Sequence, residues 1–198
     1  MTAPTMRAYL SLEQLLDLVD PGPRAGCQQL LRRHAAELAV ATGSSHNHQA
    51  WPGGYLDHIQ ETMNVAVVMY EALTAVRALE HTLSDALVVM FLHDLEKPWA
   101  YETDAAGARV RKAGLADKDG QQALRLRTAA DCGITLTPAQ ATAMRFVEGE
   151  IGHYSNRHRA MSPLAAFCHL CDVTSARIWF DHPAVADDPW GGARRRQA

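Results

Sequence analysis

The sequence predicts an all-α protein, and three features of its pattern support that fold class. Apolar residues recur at helical spacing in one segment after another along the chain. Serine or threonine stands immediately before several of these segments, where a helix N-cap is expected. No stretch shows the apolar–polar alternation typical of a half-buried strand. We therefore expect a single compact helical bundle, since 198 residues are enough to enclose a sizeable core.

The N-terminal half predicts four helices. Ser11 is a candidate cap for the first, which the sequence PGP should break, and a second helix is expected over 24–41. The turn-rich sequence TGSSHNHQAWPGG follows. A third helix is expected from Tyr55 to Leu79 and a fourth from Thr82 to Leu95, because the residue before a proline disfavours helical geometry. The middle of the fourth helix is apolar all round, which predicts a central and buried position.

The C-terminal half predicts three further helices after a polar, glycine-containing connection. The first covers 118–133, and Thr137 and Ser162 then each precede a proline, the usual order of cap and first helical residue. The last helix contains CHLC, from Cys168 to Cys171. Such a pair can bind zinc or do disulfide chemistry, but structural zinc needs two such pairs, or one pair plus histidines in a loop. Because the single pair here lies within a predicted helix, we interpret the motif as core packing.

Composition and charge argue against several classes of protein. The formal net charge of −3 gives no basic field, so neither nucleic acid nor an anionic membrane is an expected partner. The N-terminal stretch has no apolar signal region, there is no apolar run of membrane-spanning length, and four cysteines do not make a disulfide framework. We expect a cytoplasmic protein with one domain over 1–182 and a loose tail over 183–198.

An apolar run that ends in two polar residues is the most informative feature of the chain. The residues from Leu87 to Leu92 are all apolar, and the pair His93–Asp94 follows at once. Burying an imidazole beside a carboxylate is costly unless both are satisfied, either by backbone groups and each other or by a metal ion. His58 and Asp172 lie in two other helical segments in similar contexts. Three apolar helices that each carry a ligand-type group predict convergence on one point.

The order of these residues resembles that of the HD-domain superfamily of metal-dependent phosphohydrolases. GGYLDH, which contains His58, is similar to the GGLLEH form of one large branch. FLHDLEK resembles the LLHDIGK core with Glu96 in place of the usual glycine, and SPLAAFCHLCDVTSA resembles the closing helix with its Asp172. The resemblance covers about 45–178, which would be the catalytic core, and it implies an HD-like bundle with a metal site among central helices.

The resemblance also implies a ligand set and a mechanism. One divalent ion would be held by four residues, His58, His93, Asp94 and Asp172. Two histidines and two carboxylates suit Mn, Fe, Co, Ni or Zn, and water on such an ion has its pKa lowered toward about 7, so that it can attack phosphorus. Lys97 would face the substrate phosphate, the alternative being a solvated lysine at a helix end.

A second, weakly held ion is left open by the same resemblance. Relatives with two metals carry additional histidines between the HD pair and the last Asp, and His153 is the best match here. The His-His pair that often precedes this point is replaced by VEGE, with Glu148 and Glu150. His153 and Glu148 are also candidates for proton transfer to the leaving oxygen.

The expected substrate is a small phosphorylated molecule, most simply a nucleoside mono- or triphosphate. His46 and His48 precede the GG turn and could contact phosphate, or could belong to a polar loop. Trp51 could stack on a base or pack in the core, and Arg157 and His158 lie on a segment that could cover the site. Substrate binding is therefore expected at His46, His48, Trp51, Arg157 and His158.

Three alternatives remain open at this stage. An HD-fold di-iron oxygenase would need about six ligands, and His153 and His158 are poorly spaced for a second iron. A cyclic-nucleotide or oligonucleotide phosphodiesterase would use the same ion. A non-catalytic binding module would have a broken ligand set, whereas the set here is intact. The chain could also form homo-oligomers, which the sequence does not decide.

Overall fold

Eight α-helices make up most of the chain that the computed structural model describes, namely residues 8–44, 47–150, 152, 155, 157–179 and 190. The all-α prediction is confirmed. In chain order the helices are α1 (Leu12–Asp17), α2 (Pro21–Arg33), α3 (Ala35–Val40), α4 (Gly54–Thr74), α5 (Leu83–Leu92), α6 (Lys118–Asp131), α7 (Pro138–Phe146) and α8 (Pro163–Val173). Short 3₁₀ turns cover Lys97–Trp99 and Ala113–Leu115, and a π-helical turn, Thr174–Ile178, continues α8.

Helix α5 is the centre of the bundle, as its apolar sequence predicts. Thr82 caps its first turn by accepting a hydrogen bond from the backbone N–H of Asp85, whose carboxylate accepts one from the Thr82 N–H in return. The residues from Ala86 to Leu92 are all buried, and the helix packs against α4, α7 and α8. Because α5 has no solvent-facing side over this run, whatever follows its last turn begins inside the protein.

The two helices that flank this end of α5 start at well-defined caps. Gly53 supplies the left-handed backbone before α4, with a φ of 84°. Gly54 is needed for space, because a Cβ there would lie 2.0 Å from the carbonyl oxygen of Gln49. Helix α8 starts as expected, with Ser162 accepting from the backbone N–H of Ala165 and Pro163 at the first helical position.

Some helix boundaries differ from the prediction. The segment 24–41 is not one helix, because α2 and α3 are separated at His34, whose φ of −114° is not helical. The prolines of PGP lie in the first turn of α2, where a fixed φ and a missing N–H are tolerated, and the break falls just before them. Helices α4 and α5 also end earlier than predicted, at Thr74 and Leu92.

A small antiparallel hairpin occupies the polar, glycine-containing connection between α5 and α6. Strand β1 (Tyr101–Thr103) pairs with β2 (Arg109–Arg111), and Glu102 lies opposite Val110. The carboxylate of Asp104 organises the turn by accepting from the backbone N–H groups of two following residues. Strands of three residues are too short to show an alternating pattern, which is why the sequence does not reveal them.

The predicted tail over 183–198 lies outside the described residues except for Trp190. The ring of Trp190 lies 5.4 Å from that of Trp179 and 5.3 Å from that of Tyr9, measured between centroids. In the described part of the chain, no helix combines the length and apolar character needed to cross a bilayer.

Candidate metal centre

Four residues from three helices meet at the end of α5. His58 comes from the second turn of α4, His93 caps the C-terminus of α5, Asp94 follows it, and Asp172 comes from the last turn of α8. The Nε2 atom of His58 lies 3.2 Å from Asp172 Oδ1 and 3.5 Å from Asp94 Oδ2. The Nε2 atom of His93 lies 3.4 Å from Asp94 Oδ2 and 3.5 Å from Asp172 Oδ1.

This arrangement is compact enough for one ion. One ligand atom each from His58, His93 and Asp172 lies within 4.8 Å of the other two. The two imidazoles are fully buried and Asp94 is nearly so. The His58–His93–Asp172 cluster could therefore hold a metal ion, and the Asp94 oxygen lies beside both histidines as a fourth donor.

Hydrogen bonds on the far side of each ring orient the histidines for this role. The Nδ1 atom of His93 lies 2.7 Å from the carbonyl oxygen of Met90, and a carbonyl can only accept, so Nδ1 carries the proton. The Nδ1 atom of His58 lies 3.1 Å from the Ser175 hydroxyl, which donates to a carboxylate. We therefore assign a proton to Nδ1 of both rings, which leaves the Nε2 atoms directed at the carboxylates.

The Nε2 atoms of His58 and His93 show whether a metal ion fits this cluster. Both are buried, and neither has a hydrogen-bond partner among the described residues. Lone pairs that face carboxylate oxygens at 3.2–3.5 Å repel them unless a cation lies between the two sets of atoms. Two imidazole nitrogens and two carboxylates are also the donors that divalent transition metals prefer. The residues present therefore fit a metal ion.

The pKa values of the four residues also indicate that the cluster is stabilised by positive charge. Burial lowers the pKa of His58. Burial acts in the same direction on His93, but the carboxylates of Asp94 and Asp172 outweigh it and raise the pKa of His93 to about 10. Burial would raise the pKa of both carboxyl groups, yet both pKa values lie below their usual range. Lys97 and His93 lower the pKa of Asp94, and hydrogen bonding by His58 and His93 lowers that of Asp172. The cluster thus favours a cation, which either a proton on His93 or a metal ion can supply.

Lys97 lies next to this cluster and is not a solvated helix-end lysine. Its ammonium group forms an ion pair with Asp94 and donates a hydrogen bond to the carbonyl oxygen of Gly43. Burial opposes charging of this amine, but Asp94 outweighs the effect and the pKa of Lys97 is raised. Lys97 therefore remains cationic and faces the cavity described next.

A cavity of about 420 Å³ opens beside the centre. Its volume is typical of a small-molecule site. Asp94 and Asp172 belong to its lining, together with the carboxylates of Glu96 and Glu148. The lining also includes several cationic or imidazole side chains, namely Lys97, Arg111, Lys118, Arg177, His48 and His169. A molecule in this cavity would thus contact the carboxylates of the candidate metal centre and several positively charged side chains.

Only some of the predicted substrate-binding residues are found to line the cavity. His48 lines the cavity, and its ring lies 4.7 Å from that of His58. Burial, assisted by His58 and Lys97, lowers the pKa of His48 to about 3, so it is neutral at pH 7. His46 lies outside the described residues. Trp51 donates its indole N–H to Asp57 at 2.8 Å and is not part of the cavity wall as far as the structure describes it.

The predicted residues near the second-metal position are only partly brought to the site. Glu148 lines the cavity, where it pairs with Lys118 and lies 3.5 Å from Nη2 of Arg125. His153 lies outside the described residues. Arg157 and His158 are exposed in a short turn that is stabilised by Ser155, and neither is found in the described lining of the cavity.

Several residues of the site escaped the sequence prediction, among them His169, Ser175 and Glu61. His169 lines the cavity and donates from Nδ1 to the carbonyl oxygen of Val147 at 2.5 Å. Ser175 and Glu61 lie behind His58. Helical spacing could have found all three, because residues three apart share a helix face: Glu61 follows His58 by three, and His169 and Ser175 lie three residues either side of Asp172.

The CHLC motif belongs to the core. Cys168 and Cys171 are free and buried, and burial raises the pKa of both thiols. Thiols of this kind are poor nucleophiles and poor metal ligands, because both roles need the thiolate.

Comparison of the chain with protein-family models, with curated proteins and with solved structures gives no match. The resemblance of the sequence motifs to the HD-domain superfamily therefore stays a prediction.

Proposed function

We propose that the protein is a metal-dependent phosphohydrolase of the HD-domain type, which acts on a small phosphate ester and most simply on a nucleotide. One observation carries the proposal. The imidazole nitrogens of His58 and His93 lie 3.2–3.5 Å from carboxylate oxygens of Asp94 and Asp172. These two carboxylates line a cavity together with several cationic side chains.

Charge balance explains why an anionic substrate suits this cavity. Two carboxylates supply two negative charges, while a divalent ion and Lys97 together supply three positive charges. Arg111, Lys118 and Arg177 add further positive charge to the wall, against Glu96 and Glu148. The loaded centre thus has a net positive charge in a partly enclosed site, where attraction for a phosphate group is stronger than in open water.

The four donors suit Mn, Fe, Co, Ni or Zn, and such an ion would acidify a water molecule and polarise a phosphoryl oxygen. The side chains of this protein would perform the remaining tasks. Lys97, held against Asp94 in the lining of the cavity, would stabilise negative charge that develops on the phosphoryl oxygens. His169 uses Nδ1 to donate to backbone, so Nε2 is the nitrogen with which it can exchange a proton with a leaving group in the cavity.

The nucleotide part of the proposal depends on size more than on base recognition. A cavity of about 420 Å³ accommodates a small phosphate ester. The described lining includes no phenylalanine, tyrosine or tryptophan on which a base could stack. Recognition by the described residues would therefore act through phosphate charge and imidazole groups, and we expect weak discrimination between bases.

The described residues favour one ion over two. A di-iron oxygenase or a two-metal hydrolase would need additional ligands near Glu148 and Glu150. Glu148 is paired with Lys118, and Glu150 accepts a hydrogen bond from the Met161 backbone N–H at 2.7 Å. Neither carboxylate joins the His58–His93–Asp172 cluster. A weak second ion remains a prediction.

The test is a substrate panel combined with variants of the centre. Nucleoside mono-, di- and triphosphates, cyclic nucleotides and a simple aryl phosphate are incubated with Mn²⁺, Co²⁺, Ni²⁺, Fe²⁺ or Zn²⁺, and the products are identified. We expect hydrolysis that Asp94→Ala and His93→Ala abolish and that Lys97→Ala slows by about 10²–10³-fold. His34→Ala is the matched control, since His34 also follows the last residue of a helix but lies outside the centre, and it should retain activity.

Two results would contradict this proposal. Hydrolysis that survives in Asp94→Ala would place the active site elsewhere. Two irons per chain, together with substrate-dependent oxygen consumption, would instead favour the oxygenase alternative.

A further inference from the structure

A buried polar chain lies behind His58, on the side of the ring away from the proposed metal. The Ser175 hydroxyl lies 3.1 Å from Nδ1 of His58 and donates to Oε2 of Glu61 at 2.6 Å. The side-chain amide of Gln49 donates to the same carboxylate oxygen at 2.9 Å. All three polar side chains are buried, and a carboxylate is rarely placed in such surroundings without a role.

We propose that Glu61 and Ser175 are positioning residues that lock His58 in the Nδ1–H tautomer, so that its Nε2 lone pair is presented to the metal. This inference rests on the metal centre of the proposed function, and it does not depend on which substrate is hydrolysed.

The end of α8 and the turn that follows it contact both sides of the His58 ring. Asp172, in the last turn of α8, lies 3.2 Å from Nε2 of His58, and Ser175, three residues later, lies 3.1 Å from Nδ1. One stretch of chain therefore contacts both nitrogens of a single imidazole. Ser175 lies within the π-helical turn Thr174–Ile178, and π-helical turns are rare distortions that occur frequently at functional sites.

The direction of the protons follows from the donor and acceptor inventory. A serine hydroxyl has one hydrogen, and a carboxylate oxygen at 2.6 Å is the stronger acceptor for it. With its hydrogen on Glu61, the Ser175 oxygen can only accept: weakly from the Gln49 amide at 3.4 Å and, at 3.1 Å, from His58, which places the ring proton on Nδ1. The Gln49 amide holds the Glu61 carboxylate in place by donating to the same oxygen. The chain thus excludes the tautomer that would carry a proton on the metal-facing nitrogen.

The consequence should be measurable as metal affinity. Partners in the outer shell orient the ligating histidine and raise its basicity, and their loss typically weakens metal binding 10–100-fold. Ser175→Ala removes the acceptor for the Nδ1 proton. Glu61→Gln introduces an NH₂ group that can donate to Ser175, which frees the hydroxyl to donate to His58 and stabilises the wrong tautomer.

The experiment compares the full-length chain with Ser175→Ala, Glu61→Gln and the control Thr174→Ala. Thr174 lies in the same π-helical turn, and its hydroxyl donates to the Leu170 carbonyl oxygen, away from His58. Mn²⁺ affinity is measured by EPR titration, and the His58 tautomer of the metal-free protein is read from long-range ¹H–¹⁵N NMR spectra. Circular dichroism verifies that each variant is folded.

We expect Nδ1–H in the wild type and in Thr174→Ala, with equal Mn²⁺ affinity. We expect Ser175→Ala and Glu61→Gln to bind Mn²⁺ 10–100-fold more weakly and to populate the Nε2–H tautomer. Wild-type affinity in both variants, or an unchanged tautomer in Ser175→Ala, would overturn the positioning role. A wild-type chain that binds no Mn²⁺ would instead overturn the metal centre, and lack of turnover with normal Mn²⁺ binding would count only against the proposed function.

Discussion

The buried ion pair between Glu96 and Arg125 gives a sharp test of how this core tolerates charge. The Nε atom of Arg125 lies 2.6 Å from the Glu96 carboxylate, and the two side chains are only 4% and 3% exposed. Glu96→Leu keeps most of the side-chain volume and leaves the guanidinium without its main partner. Breaking a buried pair from one side costs about 3–5 kcal/mol, because an uncompensated charge stays in the interior.

The structure places the expected value near the lower end of that range. Glu148 lies 3.5 Å from Nη2 of Arg125 and would retain part of the compensation. A loss of about 3 kcal/mol corresponds to a melting temperature lower by roughly 6–12 °C for a chain of this size. The double variant Glu96→Leu/Arg125→Met should recover most of this loss, since apolar replacements of buried ion pairs are often neutral.

Chemical denaturation of the variants measures the effect directly. The control is Arg145→Met, which breaks a pair of similar geometry on the surface, where Arg145 lies 2.9 Å from Asp119 and the side chains are 39% and 79% exposed. That substitution should cost no more than about 1 kcal/mol. If Glu96→Leu costs no more than Arg145→Met, burial does not govern the strength of these pairs and the reasoning is wrong.

Three further predictions concern backbone space, a buried thiol and the metal. Gly54→Ala should lower the melting temperature substantially, because its Cβ would lie 2.0 Å from the Gln49 carbonyl oxygen, whereas Gly22→Ala, with open space around it, should be neutral or stabilise by about 0.5–1 kcal/mol. Burial raises the pKa of Cys27 from 9.0 to about 12, so stability from the neutral thiol is intact below pH 9 and is lost between pH 9 and 12. Denaturant unfolding at pH 8 and 10 should show an additional loss of about 1.4 kcal/mol in the wild type relative to Cys27→Ala, and equal losses would contradict it. Mn²⁺ at about 100 times its dissociation constant should stabilise the protein by about 2.7 kcal/mol in thermal denaturation, reversibly with a chelator, and no shift would count against the centre.

Much of the helical architecture could be predicted from the sequence because its signals are local. Ser11, Thr137 and Ser162 are N-caps in the structure, each accepting a hydrogen bond from a backbone N–H in the first turn of its helix. The apolar run before His93 forms the buried α5. Caps and periodicity act within a few residues, so the chain itself carries this information.

Other local features escaped prediction for identifiable reasons. No proline or glycine marks the helix break at His34 in the sequence. The hairpin strands have three residues each, which is too short for an alternating apolar–polar pattern to be recognised. Arg157 and His158 carry suitable side chains, yet the described structure leaves them in an exposed turn, because side-chain chemistry alone does not specify where a loop lies.

By itself, the sequence determined which groups must be satisfied: His58, the His93–Asp94 pair and Asp172 each interrupt an apolar helix. Only the tertiary structure decided how they are satisfied. Because α5 packs between α4 and α8, groups that are distant in the sequence come within 3.5 Å of one another, and Ser175 reaches the far side of His58. Helical periodicity fixes the face on which a residue lies, but the partner across that face is chosen by packing between distant segments, which no local pattern encodes.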